Sequence, residues 1–176
     1  MDKGKKTFRI LRGFLKMSVF RIALKNKSIS RFVLLSKNVC LDFSKNANIH
    51  IGRRFSAEFG TAIAARENSE LFIGESVYIN RNCVIVAREK IVLEDGVTIG
   101  PNCCIYDHDH DMNSRGDFIS KPIVVGKNSW IGAGCIIVKG VTIGQGCVIA
   151  AGTIVTKDVP DGTLIRHPIA YAQKFI

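Results

Sequence analysis

Two histidines and three aspartates alternate over five positions, Asp107-His108-Asp109-His110-Asp111. They lie in a polar stretch, YDHDHDMNSRGDFISKP, at 106–122. An imidazole that titrates near neutrality can take a proton from an attacking group. A carboxylate beside it can orient the ring and stabilise its charged form. The candidate catalytic residues are therefore His110, His108, Asp107 and Asp109. The competing reading is a solvated loop with idle histidines. Two histidines two residues apart on a loop specify no coordination geometry, so no metal is expected.

The other reactive side chains point away from nucleophilic chemistry. Six cysteines stand at 40, 83, 103, 104, 135 and 147, with no CxxC pair. Four of them share one slot of a repeat, so they read as small buried side chains rather than disulfides, which fits a reducing cytoplasm. His50, between Ile49 and Ile51, reads as a surface or turn residue. His167 belongs to the tail.

The element that must position the histidines is visible as a period of six. Val125, Ile131, Ile137, Ile143, Ile149 and Val155 are all branched aliphatics. Glycine follows three of them, as Gly126, Gly132 and Gly144. Four residues after the aliphatic come Cys135, Val141, Cys147 and Thr153. Ile73, Ile79, Ile85 and Ile91 form a second run, and Leu93, Ile99 and Ile105 a third, shifted by two. An α-helix would scatter these positions, and a plain strand would alternate every two. Each unit reads as a short strand plus a turn, three units making one triangular coil whose aliphatics point inward. No coil buries its core alone, so stability comes from stacking. The period runs to Ile105 and resumes at Val125, and the histidines fall in the gap. Loops that interrupt a rigid scaffold commonly carry function.

With its clearest segment at NSWIGAGCIIVKGVTIGQGCVIAAGTIVTKDVP, 128–160, the sequence resembles the hexapeptide-repeat acyltransferases, in the branch of maltose, galactoside and surface-polysaccharide O-acetyltransferases. The resemblance covers roughly residues 39–160. It implies an all-β, left-handed parallel β-helix, acetyl-CoA as the donor, and a homotrimer with the donor groove between neighbouring subunits. It places the catalytic histidine five residues after the last repeat aliphatic, which is His110, with His108 as the fallback. It matches Trp130, Ala133, Ala151, Thr156 and Lys157 to positions lining the CoA site. The tail, IRHPIAYAQKF, keeps Pro168 but has Arg166 and His167 where relatives have Gly and Asn. Arg166 or Lys174 is expected to supply the usual basic contact.

The implied reaction is direct transfer of an acetyl group to a sugar hydroxyl, of a surface polysaccharide or lipopolysaccharide precursor. The histidine acts as base and backbone N–H groups hold the oxyanion. Three alternatives stand beside it: N-acetylation of an amino or nucleotide sugar, a γ-type carbonic anhydrase, and a non-catalytic β-helix scaffold. The anhydrase would need three histidine ligands, and this chain has four histidines, two of them on one loop.

The net charge of +10 is local. Residues 1–38 carry eleven Lys and Arg against one acid, and residues 39–176 carry fourteen of each sign. A nucleic-acid binder would spread or stripe its charge over the body, so no nucleic-acid partner is expected. The expected organisation is a basic amphipathic segment at 1–38, the β-helix with its loop 106–122 at 39–160, and a tail at 161–176. Lys5, Arg9, Arg12 and Lys16 fall on one side of a helix, which either contacts an anionic membrane surface through residues 1–30 or packs against the β-helix or a neighbouring subunit; membrane contact is the expectation. Arg9, Arg12, Lys16 and Arg21 interrupt every apolar run, so neither a signal peptide nor a membrane-crossing helix is expected. The expected location is then the cytoplasm, with peripheral contact at the inner membrane face as a further expectation.

Overall fold

The computed structural model describes residues 3–23, 28–114 and 116–166. A helix, α1 (Lys3–Ala23), precedes a parallel β-helix of three faces. The first face stacks Leu34–Leu35, Ser56–Ala57, Tyr78–Ile79, Thr98–Ile99, Trp130–Ile131, Val148–Ile149 and Leu164–Ile165. The second stacks Cys40–Phe43, Ala62–Ala65, Val84–Ala87, Cys104–Tyr106, Ile136–Ile137 and Ile154–Val155. The third stacks Asn48–Ile51, Glu70–Ile73, Lys90–Leu93, Ile123–Val125 and Thr142–Ile143. The chain visits the faces in turn, so the aliphatics six apart each belong to a different face. All those from Ile73 to Val155 are buried.

The two-residue shift in the repeat has a packing cause. On the third face, the strand Lys90–Leu93 sends both Ile91 and Leu93 into the core. The strand Thr142–Ile143 sends in only Ile143. Coils near the N-terminus therefore have longer sides. Leu34 pairs with Ser56 and Ser56 with Tyr78, a rise of 22 residues per coil, whereas Trp130 pairs with Val148 after 18. The prism narrows toward the C-terminus. Turns between faces pass through left-handed backbone, for example at Asn102 (φ 60°) and Asn128 (φ 57°), which Asn adopts at low cost.

The coil extends beyond the boundaries read from the repeat. It begins before residue 39, with Ile29 bridging Ile51 and Leu34–Leu35 pairing Ser56–Ala57. It continues past 160 to Leu164–Ile165.

Helix α1 closes the N-terminal end of the prism. Met17 is fully buried in the core, and Phe20 packs on Phe43 at 5.0 Å. Gly13 lies so close to the Val33 carbonyl that a Cβ would collide with it. The first coil has no preceding coil to donate hydrogen bonds to its outward carbonyls. The helix supplies those donors: Arg12 to Leu35 O (3.2 Å), Lys16 to Val39 O (2.7 Å) and Arg21 to Ile29 O (2.7 Å). Arg9 pairs with Glu58 at 2.8 Å and bonds Ser56 Oγ. Of the cations expected to face a membrane, Arg9, Arg12 and Lys16 are thus turned onto the protein, because unpaired strand-edge carbonyls are costly. Among the described residues, no helix is long and apolar enough to cross a membrane.

Candidate active site

The polar stretch between Ile105 and Val125 is a β-hairpin rather than a plain loop. His108–His110 pairs antiparallel with Phe118–Ser120, in the register His108↔Ser120 and His110↔Phe118. It leaves the prism at the corner between the second and third faces, where the strand Cys104–Tyr106 ends and Ile123–Val125 begins.

Asp107 anchors it. Its carboxylate is fully buried and accepts backbone N–H bonds from Arg88 (2.9 and 3.0 Å), Glu89 (2.8 Å) and Lys90 (2.8 Å). Its own carbonyl accepts the Lys121 N–H at 2.8 Å, closing the base of the hairpin. One carboxylate oxygen also lies 3.0 Å from His108 Nδ1. An ionised carboxylate holding a ring nitrogen fixes that nitrogen as the N–H. Sequence reasoning placed Asp107 beside a histidine but could not foresee the three amides, which come from a turn about one coil earlier.

The two histidines have different environments. The His108 side chain is 12% exposed. Its ring meets Tyr106 edge-on at 5.9 Å and Phe118 at 5.4 Å. His110 is exposed at the outer end of its strand, with its ring 4.6 Å from Phe118. Phe118 therefore buttresses both rings, and its own face is covered by the Arg88 guanidinium at 3.4 Å. Neither Phe118 nor Arg88 was identifiable from the sequence pattern. Asp109 points away from the histidines and pairs with Lys139 on the next coil. It braces the hairpin and does not orient an imidazole. Among the described residues no group of three or more His, Cys, Asp or Glu side chains is arranged to hold a metal.

The residues matched to a donor site divide between two corners. Ala133 and Ala151 occupy equivalent turns on consecutive coils, where Gly152 N–H bonds Ala133 O at 2.7 Å. Trp130 projects from the first face beside them, 55% exposed, and Arg166 follows one coil further. Thr156 and Lys157 are exposed at the other corner, on the coil after Lys139, and so share a corner with the hairpin. The second face lies between. Its outward ladder there is Val84, Cys104, Ile136 and Ile154, apolar apart from one thiol. His167 and Lys174 lie outside the described residues.

Comparisons with known proteins agree with this architecture. Residues 122–157 match the family described as hexapeptide repeat of succinyl-transferase. Nodulation protein L of Rhizobium meliloti is 45% identical over 97 residues, 53% of each chain. Galactoside O-acetyltransferase of Escherichia coli is 37% identical over 122 residues, 67% of this chain and 49% of that protein. The chain thus spans about half the length of these curated relatives. A crystal structure of a hexapeptide-repeat acetyltransferase from Vibrio cholerae complexed with acetyl-CoA superposes with a TM-score of 0.52. It is 26% identical, over 92% of this chain and 81% of that one.

Proposed function

Because the chain belongs to the hexapeptide-repeat acyltransferases, we propose that it transfers an acetyl group from acetyl-CoA directly to a sugar hydroxyl. His110 takes the hydroxyl proton, and the oxygen attacks the thioester carbonyl carbon. Backbone N–H groups stabilise the tetrahedral oxyanion. Collapse breaks the C–S bond, and the imidazolium returns its proton to the CoA thiolate. The observation that carries the reading is the exposed His110 ring on a hairpin pinned to a rigid prism through buried Asp107. His110 is preferred to His108 because a base must reach an incoming hydroxyl, and the His108 ring is mostly withdrawn between Tyr106 and Phe118. His108 and Asp107 act as positioning residues. Acetyl-CoA as donor is supported by the Vibrio cholerae relative's complex, and a hydroxyl acceptor by the galactoside relative's name.

The working unit in this reading is a homotrimer. The donor-site residues of one chain stand on two corners separated by an apolar face. Two chains packed side by side would bring Trp130, Ala133, Ala151 and Arg166 of one to His110, Thr156 and Lys157 of the next. A peripheral position at a membrane completes the reading, with a surface polysaccharide or lipopolysaccharide precursor as the acceptor.

The test is calorimetric titration with acetyl-CoA, followed by a thiol-release assay with sugar acceptors. His110→Ala should bind acetyl-CoA normally and lose turnover by about 10²-fold or more, the usual worth of general base catalysis. His108→Ala should retain measurable turnover. If the two variants exchange behaviour, His108 is the base. If the folded protein does not bind acetyl-CoA, the donor assignment fails.

A further inference from the structure

Helix α1 is amphipathic in the reverse sense to a helix resting on a protein. Phe8, Leu11, Leu15, Val19 and Ile22 recur at i, i+3 and i+4 spacings, within roughly a quarter of the circumference at 3.6 residues per turn. They are 69%, 53%, 58%, 64% and 78% exposed. The buried side is short, essentially Gly13, Met17 and Phe20. This apolar stripe has no cover in the described structure, and the first coil adds an exposed Phe32.

Cations surround the stripe. Arg31 lies over the Phe14 ring at 5.1 Å and Arg53 over Phe32 at 5.8 Å. At one end a cavity of about 540 Å³ is lined by Phe8, Arg9, Arg12, Ser36 and Lys37. Toward the other end a cleft of about 490 Å³ includes Arg21, Arg31, Phe32, His50 and Arg53, with Glu75 as its one acid. Lys3, Lys5 and Lys6 precede the stripe in sequence, and Lys25 and Lys27 follow it.

We infer that this face of α1 docks the protein onto an anionic lipid surface, with the apolar stripe entering the acyl boundary and Arg31, Lys37 and Arg53 meeting lipid phosphates. The charge pattern selects this occupant. Two copies of the face brought together would oppose cation to cation, since Glu75 is the one acid among the residues lining the two clefts. An anionic bilayer supplies apolar depth and negative charge at the heights where the stripe and its rim need them. The inference rests on the peripheral-membrane part of the reading above and stands apart from acetyl transfer. It also reverses the geometry expected from the sequence: Arg9, Arg12, Lys16 and Arg21 are held by the first coils, and the lipid-facing side is the apolar one. Three chains packed with parallel prisms would present three such stripes at one end, multiplying a weak contact.

The experiment is co-sedimentation of the full chain with vesicles of phosphatidylcholine alone and with 30% phosphatidylglycerol, as a function of salt. Acetyl-CoA binding is measured on the same samples as a separate check of the transferase site. The wild type should bind the anionic vesicles, at least tenfold more strongly than the neutral ones, and less as salt rises. Leu11→Glu with Leu15→Glu should reduce that binding by tenfold or more while acetyl-CoA binding persists. Leu15→Trp gives a second readout, since its fluorescence should be quenched by brominated acyl chains. The inference is overturned if the wild type ignores anionic vesicles, if the double variant binds as well as wild type, or if Leu15→Trp is not quenched. A larger oligomer that the double variant splits, without vesicle binding, would instead assign the face to a second copy.

Discussion

Removing the carboxylate of Asp107 should unfasten the hairpin. Three backbone amides, of Arg88, Glu89 and Lys90, point at one fully buried side chain over 2.8–3.0 Å. A buried N–H left without a partner costs about 1–3 kcal/mol. Asp107→Ala orphans three of them, so even the low end of that range gives about 3 kcal/mol, after which the turn must distort or admit water. Asp107→Asn is milder, because the amide oxygen can take the place of the oxygen that serves all three amides. Only the charge-assisted part is lost, about 1–2 kcal/mol. The Asn amide N–H would then face His108 Nδ1 and force the opposite ring tautomer. Denaturant unfolding at fixed protein concentration measures both, since an oligomer's midpoint depends on concentration. Turnover should fall in the order wild type, Asp107→Asn, Asp107→Ala, while acetyl-CoA binding changes less. A loss below about 0.5 kcal/mol for Asp107→Ala, or equal losses for the two variants, would refute the anchoring argument.

Two further outcomes test the packing. Gly13→Ala should lever α1 off Val33, and is expected to raise the rate of proteolysis within residues 3–23 before the body unfolds. A native thiol titration should find two reactive cysteines, exposed Cys40 and half-buried Cys104, with the other four released only on unfolding. Cys135 is additionally unreactive because its hydrogen bond with Cys103 and its burial raise its pKa. Cys83 is shifted the other way, by its hydrogen bond with Cys103, but is sealed inside.

The β-helix was legible because its core imposes a strict rule on every sixth residue. From Ile131 to Val155 each two-residue strand sends one side chain inward, so the aliphatic recurs every six residues without exception. It blurred before Ile73 because the wider coils place two inward residues on a side, such as Ile49 with Ile51 and Ile63 with Ala65. The histidine segment was legible as a break in that rule. Its hairpin pairing was not, because a two-stranded ribbon standing off the prism has no core to write a pattern into the chain. The amides that clamp Asp107 are backbone groups, which no sequence displays.

The basic segment shows where residue type alone misleads. Eleven cations in 38 residues read as a charged surface, and helical spacing gathered several into a stripe. The structure turns Arg9, Arg12 and Lys16 of that stripe to the protein, because the first coil of any stacked fold exposes carbonyls that later coils receive partners for. Arg12, Lys16 and Arg21 do for the first coil what a preceding coil would have done. Their long stems let the charged ends reach the coil edge while the helix keeps its apolar face outward. A helix built only to cap would not need Phe8, Leu11, Leu15, Val19 and Ile22 on its free side, where polar residues would serve solubility better. That surplus of exposed apolar surface, beside Arg31, Lys37 and Arg53, which the cap does not use, is what the proposed lipid docking accounts for.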